Sequence, residues 1–398
     1  MGCVVEREVT KSRTSQDFKT IRARQAHYIQ WCLSKNIKDP VGPQPGWELV
    51  VSYYIKFVMT GVNYNNLATL RSATCRGYAE DVSKLFVLRD FPSPVDFDDK
   101  TNWTTTLVNN LKKEEDIATQ RLPLDDKIHA ELINMRNKGN KDSAESVVSE
   151  IVSSGKSTGY RASEHSQKTQ DKVDYHHYPS GKEVMKALNG NDIAFADKKG
   201  VLFQIKKKAD IKRVHSVVIT WRHQKNRRNG EKTRLIADHA HPDVCSVINL
   251  AKMAWRKARL RHSMKLPLTI FKNKSGEIKY MTHQKVTEII RTAVKKVYLD
   301  MSKATLQKYS CHSIRVWACV CLDEAGKSPD FIKKRLRWMG ESYRVYLRDT
   351  NKINEQHRDA LMASSQSTMA LIETVEDAVL DQLSPEDAIQ AGEYDDGD

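Results

Sequence analysis

Two side chains in the stretch Cys311-His312-Ser313-Ile314-Arg315 open the question of chemistry. On a helix, positions i and i+3 face the same way, so the His312 imidazole and the Arg315 guanidinium can address one phosphate. A half-buried histidine beside a surface arginine gives the same pattern, so the pair decides nothing alone. Further along the chain come an Ala325-Gly326-Lys327-Ser328-Pro329 turn, then Trp338, then Tyr343 and Tyr346 inside Arg337-Trp338-Met339-Gly340-Glu341-Ser342-Tyr343-Arg344-Val345-Tyr346. A phenol near an imidazole is a nucleophile with a base at hand. Upstream, Thr158-Gly159-Tyr160-Arg161-Ala162-Ser163-Glu164 offers a second arginine, and Gln224-Lys225-Asn226 offers a lysine beside an Asn229-Gly230 hairpin signal.

The elements that must hold these residues follow from periodicity. Apolar residues recur at helical spacing near 16–34, 46–61, 65–88 and 99–117, separated by Pro40, Pro43, Pro45 and the Pro92-Ser93-Pro94 turn. Residues 118–123 read as a linker. Helices are expected near 125–138 and 142–154, and another starts at Arg161. The period then shortens: Asn191–Phe195, Val201–Ile205 and Ser216–Trp221 read as strands, the last folding back on Lys232–Ile236. Helices near 243–261, 283–298, 311–325 and 328–338 follow. A last amphipathic helix carries Met369, Ile372, Val375, Val379 and Leu383. The expected fold class is mainly α with a small β-sheet, divided as a flexible start over 1–15, a helical domain over 16–119, a mixed α+β domain over 122–360, a C-terminal helix over 361–384 and an acidic tail over 385–398.

Composition names the partner. The chain carries a net +15, yet residues 373–398 hold ten acids and no Lys or Arg, which leaves +25 on the first 372 residues. A body so basic meets a polyanion, most often nucleic acid. Seven scattered cysteines without a Cys-x-x-Cys pair, and no signal peptide, suggest reduced thiols in an intracellular protein. No window approaches eighteen apolar residues, so no membrane span is expected.

The order Arg161, Lys225, His312, Arg315, Trp338, Tyr346 resembles the active-site boxes of the tyrosine recombinases, the phage integrase family. Thr158-Gly159-Tyr160-Arg161-Ala162-Ser163-Glu164 is similar to their Thr-Gly-x-Arg-x-x-Glu box. The wording around Trp338 and Tyr346 looks closest to recombinases of eukaryotic mobile elements, cryptons and related retroelements. The resemblance covers roughly residues 122–350, and implies a core-binding domain in front and transesterification through a 3′-phosphotyrosine. It also implies roles: Tyr346 attacks, with Tyr343 packing its helix, while Arg161 and Arg315 clamp the phosphate. Lys225, with Lys232 as fallback, protonates the departing 5′-oxygen; His312 moves the phenol's proton, and Trp338 supports the tyrosine segment. No metal, ATP or other cofactor is implied, and the partners implied are double-stranded DNA and three further copies in a homo-tetramer, acting in the nucleus if the host is eukaryotic.

Each assignment has a plainer alternative. Arg161 can merely pair with Glu164, Lys225-Asn226-Arg227-Arg228 can merely touch phosphates, and Trp338 can be core. Two departures concern packing: His165-Ser166 stands where the family carries apolar residues, and Leu336-Arg337 where it carries Leu-Gly. Competing functions are a catalytically inactive DNA-binding descendant and a type IB topoisomerase. A metal-dependent nuclease would need clustered carboxylates, and Asp96, Asp98, Asp99, Asp125 and Asp126 read instead as helix caps and solvated turn residues.

Overall fold

The computed structural model describes residues 15–42, 46–60, 70–115, 120–178, 181–224, 228–347, 355–359 and 361. Two apolar clusters organise them. The first is helical: α1 (Ser15–Ser34), α2 (Trp47–Met59), α3 (Ser72–Val87) and α4 (Trp103–Glu114) bury Tyr28, Val51, Tyr54, Ile55, Val82 and Phe86 against one another. Asn102 starts α4 by accepting from the Thr104 and Thr105 amides, relieving two of the donors that a helix start leaves open. Here the helical spacing of the apolar residues led to the right element type at each of the four places; the expected start of the third helix at 65 lies outside the described residues.

The second cluster contains the sheet. Helix α5 (Asp126–Lys138) is capped by Asp125, and α6 (Ala144–Thr158) by Ser143, each accepting from an amide of the first turn. Val147, Val148, Ile151 and Val152 make α6 apolar on several sides. It therefore runs through the middle of this core, packed by α5, by α9 (Ser246–Arg259) and by α12 (Ser313–Glu324). A single short turn, α7 (Ala162–His165), follows it.

Strands β3 (Ile193–Ala196), β4 (Leu202–Phe203), β5 (Ser216–Trp221) and β6 (Glu231–Ile236) form an antiparallel sheet in the order β4-β3-β5-β6, with α8 (Asp210–Arg213) between β4 and β5. Val217, Ile219 and Trp221 are buried, as their alternation predicts. Strand β5 does pair with β6, Trp221 opposite Glu231, but not through a two-residue turn. Asn229 and Gly230 close a longer loop instead: the Gly230 amide donates to the Trp221 carbonyl at 2.7 Å and the Asn229 side chain accepts from the Gln224 amide at 2.7 Å. Two small hairpins escape prediction, β1 (Tyr175–His177) with β2 (Glu183–Met185) and β7 (Ile270–Lys272) with β8 (Ile278–Tyr280).

Helices α10 (His283–Val297), α11 (Lys303–Gln307), α12 and α13 (Pro329–Leu336) complete the core, and residues Glu341–Tyr346 form a 3₁₀ turn rather than a full helix. The apolar stripe from Met369 to Leu383 and the acidic tail lie outside the described residues. Among the described residues, no helix is long and apolar enough to cross a membrane.

Candidate active site

The site forms where the C-terminal end of α6 meets the start of α12 and the end of α13. The two C-terminal ends, of α6 and α13, expose backbone carbonyls that their own helices leave unused. Two arginines take them. Arg315, in the first turn of α12 and 3 % exposed, donates to the Leu336 carbonyl at 3.0 Å and to the Gly159 carbonyl. Its guanidinium lies 4.1 Å from the centre of the Trp338 ring. No carboxylate among the described residues lies within ion-pair distance of it. Burial, with the charge of Arg161 second, pulls this guanidinium down to about 9, and it stays protonated at neutral pH.

Arg161 precedes α7. Its Nη2 donates to the Arg337 carbonyl at 3.2 Å, and its Nη1 meets Glu164 Oε1 at 3.0 Å. Glu164 Oε2 also accepts from the Arg161 amide at 2.8 Å, so the plainer pairing with Glu164 is present. It does not exclude a second task, since the Arg161 side chain keeps 20 % of its surface open.

His312 stands just before α12, as its N-cap, rather than inside the helix. Its Nε2 is 3.1 Å from the Tyr346 hydroxyl. Burial first, then the charges of Arg315 and Arg121, holds the imidazole below its usual range, so it is neutral at pH 7 and able to accept a proton. The Tyr346 ring stacks on Trp338 at 5.4 Å between centres, 26° from parallel. Tyr343 is 1 % exposed and packs with Ala318, Cys319, Ile332 and Leu336. One of the two tyrosines thus has its hydroxyl at a base and the other fills core.

The structure brings Arg161, His312, Arg315, Trp338 and Tyr346 together. Lys225 lies outside the described residues, although its neighbour Gln224 is 3 % exposed and tied to the site: Oε1 accepts from Arg161 at 3.5 Å and Nε2 donates to the Arg228 carbonyl at 2.6 Å. Lys232 sits exposed on β6 opposite Thr220. The candidate metal carboxylates behave as caps and turn residues: Asp125 starts α5, Asp126 pairs with Lys156 at 2.9 Å, and Asp99 accepts from the Thr101 amide and hydroxyl.

One residue of the site was missed. Arg337 has φ +60°, a left-handed backbone that favours glycine, and its side chain is fully buried. It donates to Glu164 Oε2 at 2.7 Å and to the Thr158 carbonyl at 2.9 Å, and its guanidinium carbon lies 3.4 Å from the centre of the Trp221 ring. In sequence it closes the basic run Lys333-Lys334-Arg335-Leu336-Arg337, and the departure from Leu-Gly was the available signal. The other departure is also inward: His165 is 3 % exposed and neither ring nitrogen has a hydrogen-bond partner among the described residues.

No family model matches the chain, and no curated protein does. The solved structures it is similar to are recombinases and integrases. The Tn1549 transposon integrase in complex with transposon right-end DNA is 13 % identical, over 90 % of this chain and 98 % of that one, with a TM-score of 0.47. The XerA recombinase is 13 % identical over 89 % and 95 % of the two chains, TM-score 0.34. A lambda integrase dimer bound to a COC′ core site is 10 % identical over 87 % and 93 %, TM-score 0.41. With every one of these TM-scores below 0.5, the site's own geometry carries the functional reading.

Proposed function

We propose that the chain is a tyrosine recombinase, a DNA strand transferase that cuts and rejoins duplex DNA through a 3′-phosphotyrosine on Tyr346. The observation that carries this reading is a phenol hydrogen-bonded to a neutral imidazole, beside a buried arginine that has no carboxylate partner among the described residues. A buried cation without a counter-ion is costly unless an anion completes it, and the phosphodiester is that anion.

The step balances within the site. Tyr346 Oη attacks phosphorus as its proton passes to His312, the P–O5′ bond breaks, and the leaving 5′-oxygen takes a proton from Lys225. Charge growing on the non-bridging oxygens meets the guanidiniums of Arg161 and Arg315, so the clamp does the work a divalent metal does elsewhere, and the phosphotyrosine retains the bond energy without ATP. Trp338 holds both partners, with Arg315 over one contact and Tyr346 stacked at the other. The assignment of Lys225 rests on sequence, supported by the anchoring of Gln224 at Arg161. In this reading the helical domain over 16–119 and the catalytic domain over 122–360 close around duplex DNA, four copies assemble on two sites inside the cell, and the kinship to crypton-like recombinases is the family branch.

The test is a nicked suicide duplex carrying candidate element ends, incubated with wild type, Tyr346→Phe and Tyr343→Phe. A protein–DNA adduct that survives SDS in wild type and Tyr343→Phe, and vanishes in Tyr346→Phe, supports the reading. Loss only in Tyr343→Phe sinks the choice of nucleophile, and supercoil relaxation without strand exchange favours the topoisomerase.

A further inference from the structure

Arg337 occupies a place that backbone geometry would give to glycine, and it does so facing inward. Its partners are on two separate pieces of chain: the stretch from the end of α6 to α7, where it donates to the Thr158 carbonyl and to Glu164 while its own carbonyl accepts from Arg161, and Trp221 at the end of β5. Glu164 is the carboxylate that all of this surrounds, and it already pairs with Arg161.

The charge balance gives the reason. Counted over four side chains, Arg161, Arg315 and Arg337 against Glu164 leave two positive charges. Without Arg337 the carboxylate belongs to Arg161 alone, and that arginine is internally neutralised before any phosphate arrives. From this we infer that Arg337 is a positioning residue: it takes up the charge of Glu164, so that Arg161 faces the phosphate as a cation while Glu164 still orients it. The indole of Trp221 over the guanidinium lets the same residue fasten the strand end from which the lysine loop departs. This role rests on the recombinase reading for its consequence in catalysis, but its electrostatic part stands on the pocket alone.

The probe is inorganic phosphate, titrated calorimetrically into the full chain, with binding that persists in Arg161→Gln subtracted as sites elsewhere on a basic protein. At an effective dielectric of about 20, removing one charge about 10–12 Å away weakens anion binding by about tenfold, and a closer one by more, so Arg337→Gly, whose guanidinium lies behind Glu164 and Arg161, should show at least that loss. Adding Glu164→Gln to Arg337→Gly returns the balance to two positive charges and should restore affinity to within about threefold of wild type. A residue that only packs gains nothing from that second change. An unchanged affinity in Arg337→Gly, or a double variant no better than the single one, overturns the proposal. Should Arg337→Gly fail to fold, Arg337→Lys decides: it keeps the charge and should keep phosphate affinity, and a tenfold loss there overturns the proposal equally. The suicide-duplex assay separates the two readings, since phosphate results as expected with no Tyr346 adduct refute the recombinase and leave the role of Arg337 toward the anion intact.

Discussion

His165→Leu should stabilise the protein in acid while changing little at neutral pH. The imidazole is buried between Tyr160, at 5.7 Å between ring centres, and a small pocket lined by Ile151, Leu188, Met253 and Leu268 together with Glu164 and Thr269. Burial, with the nearby His283 second, pushes it from 6.5 down to about 3. The sign follows from proton counting. Between pH 6.5 and about 3 the unfolded chain has His165 protonated and the folded one does not, so acid favours unfolding there. The effect vanishes above pH 6.5 and grows at about 1.4 kcal/mol per pH unit below it. At pH 5 the wild type is therefore penalised by about 2 kcal/mol that leucine escapes, or roughly 4–8 °C in melting temperature for a domain of this size. Thermal melts of both proteins at pH 7.5 and pH 5.0 measure it, and two further histidines held low, buried His129 and half-buried His223, are the same in both proteins and cancel in the comparison. A gap between variant and wild type that does not widen in acid refutes the reasoning.

Other outcomes follow from the same geometry. Gly159→Ala should cost about 1–3 kcal/mol in urea unfolding, because Gly159 has φ +54° and an added Cβ would sit 2.7 Å from Leu336 Cδ2; adduct formation should fall with it, since the Gly159 carbonyl holds Arg315. Arg315→Lys keeps the charge but loses the fork that spans two carbonyls, so adduct yield should drop by at least tenfold while unspecific DNA binding, read by anisotropy, barely changes. Adduct formation plotted against pH should stay level through 6.5 and fall only below it, because His312 must be neutral to take the phenol's proton and is held under its ordinary value. DNA affinity should decline steeply and linearly in log salt, as expected of a body with +25 on its first 372 residues; a flat salt response would contradict the polyanion reading.

Much of this was legible in the sequence, for reasons that differ by element. Helices α5 and α13 announce themselves through Asp125 and Ser328-Pro329, whose caps are local chemistry. The pairing of β5 with β6 was readable from alternation, but the length of their connection was not: Asn229-Gly230 is a turn signal whether it closes two residues or more. The hairpins β1–β2 and β7–β8 contain three residues per strand, too few to show a period. At the site, spacing indicated which residues belong to the pattern, while the partners of the arginines did not show, because they are main-chain carbonyls and every residue has one. Arg337 stayed hidden for a related reason: a basic run gives no sign of which of its members turns inward.

Those carbonyl partners also bear on how the protein comes into being. Arg315 reaches a carbonyl 156 residues away along the chain, Arg161 one at a distance of 176, and Arg337 one at 179. Contacts of such separation form late, once loop closure over the whole span has been accomplished. During synthesis the first arginine of the clamp emerges long before the segment that aims it, and Tyr346 emerges after both. A nascent or half-folded chain thus holds every side chain of the site without the arrangement that brings them together, so on the recombinase reading proposed above the ability to cut DNA would arrive only with the completed fold.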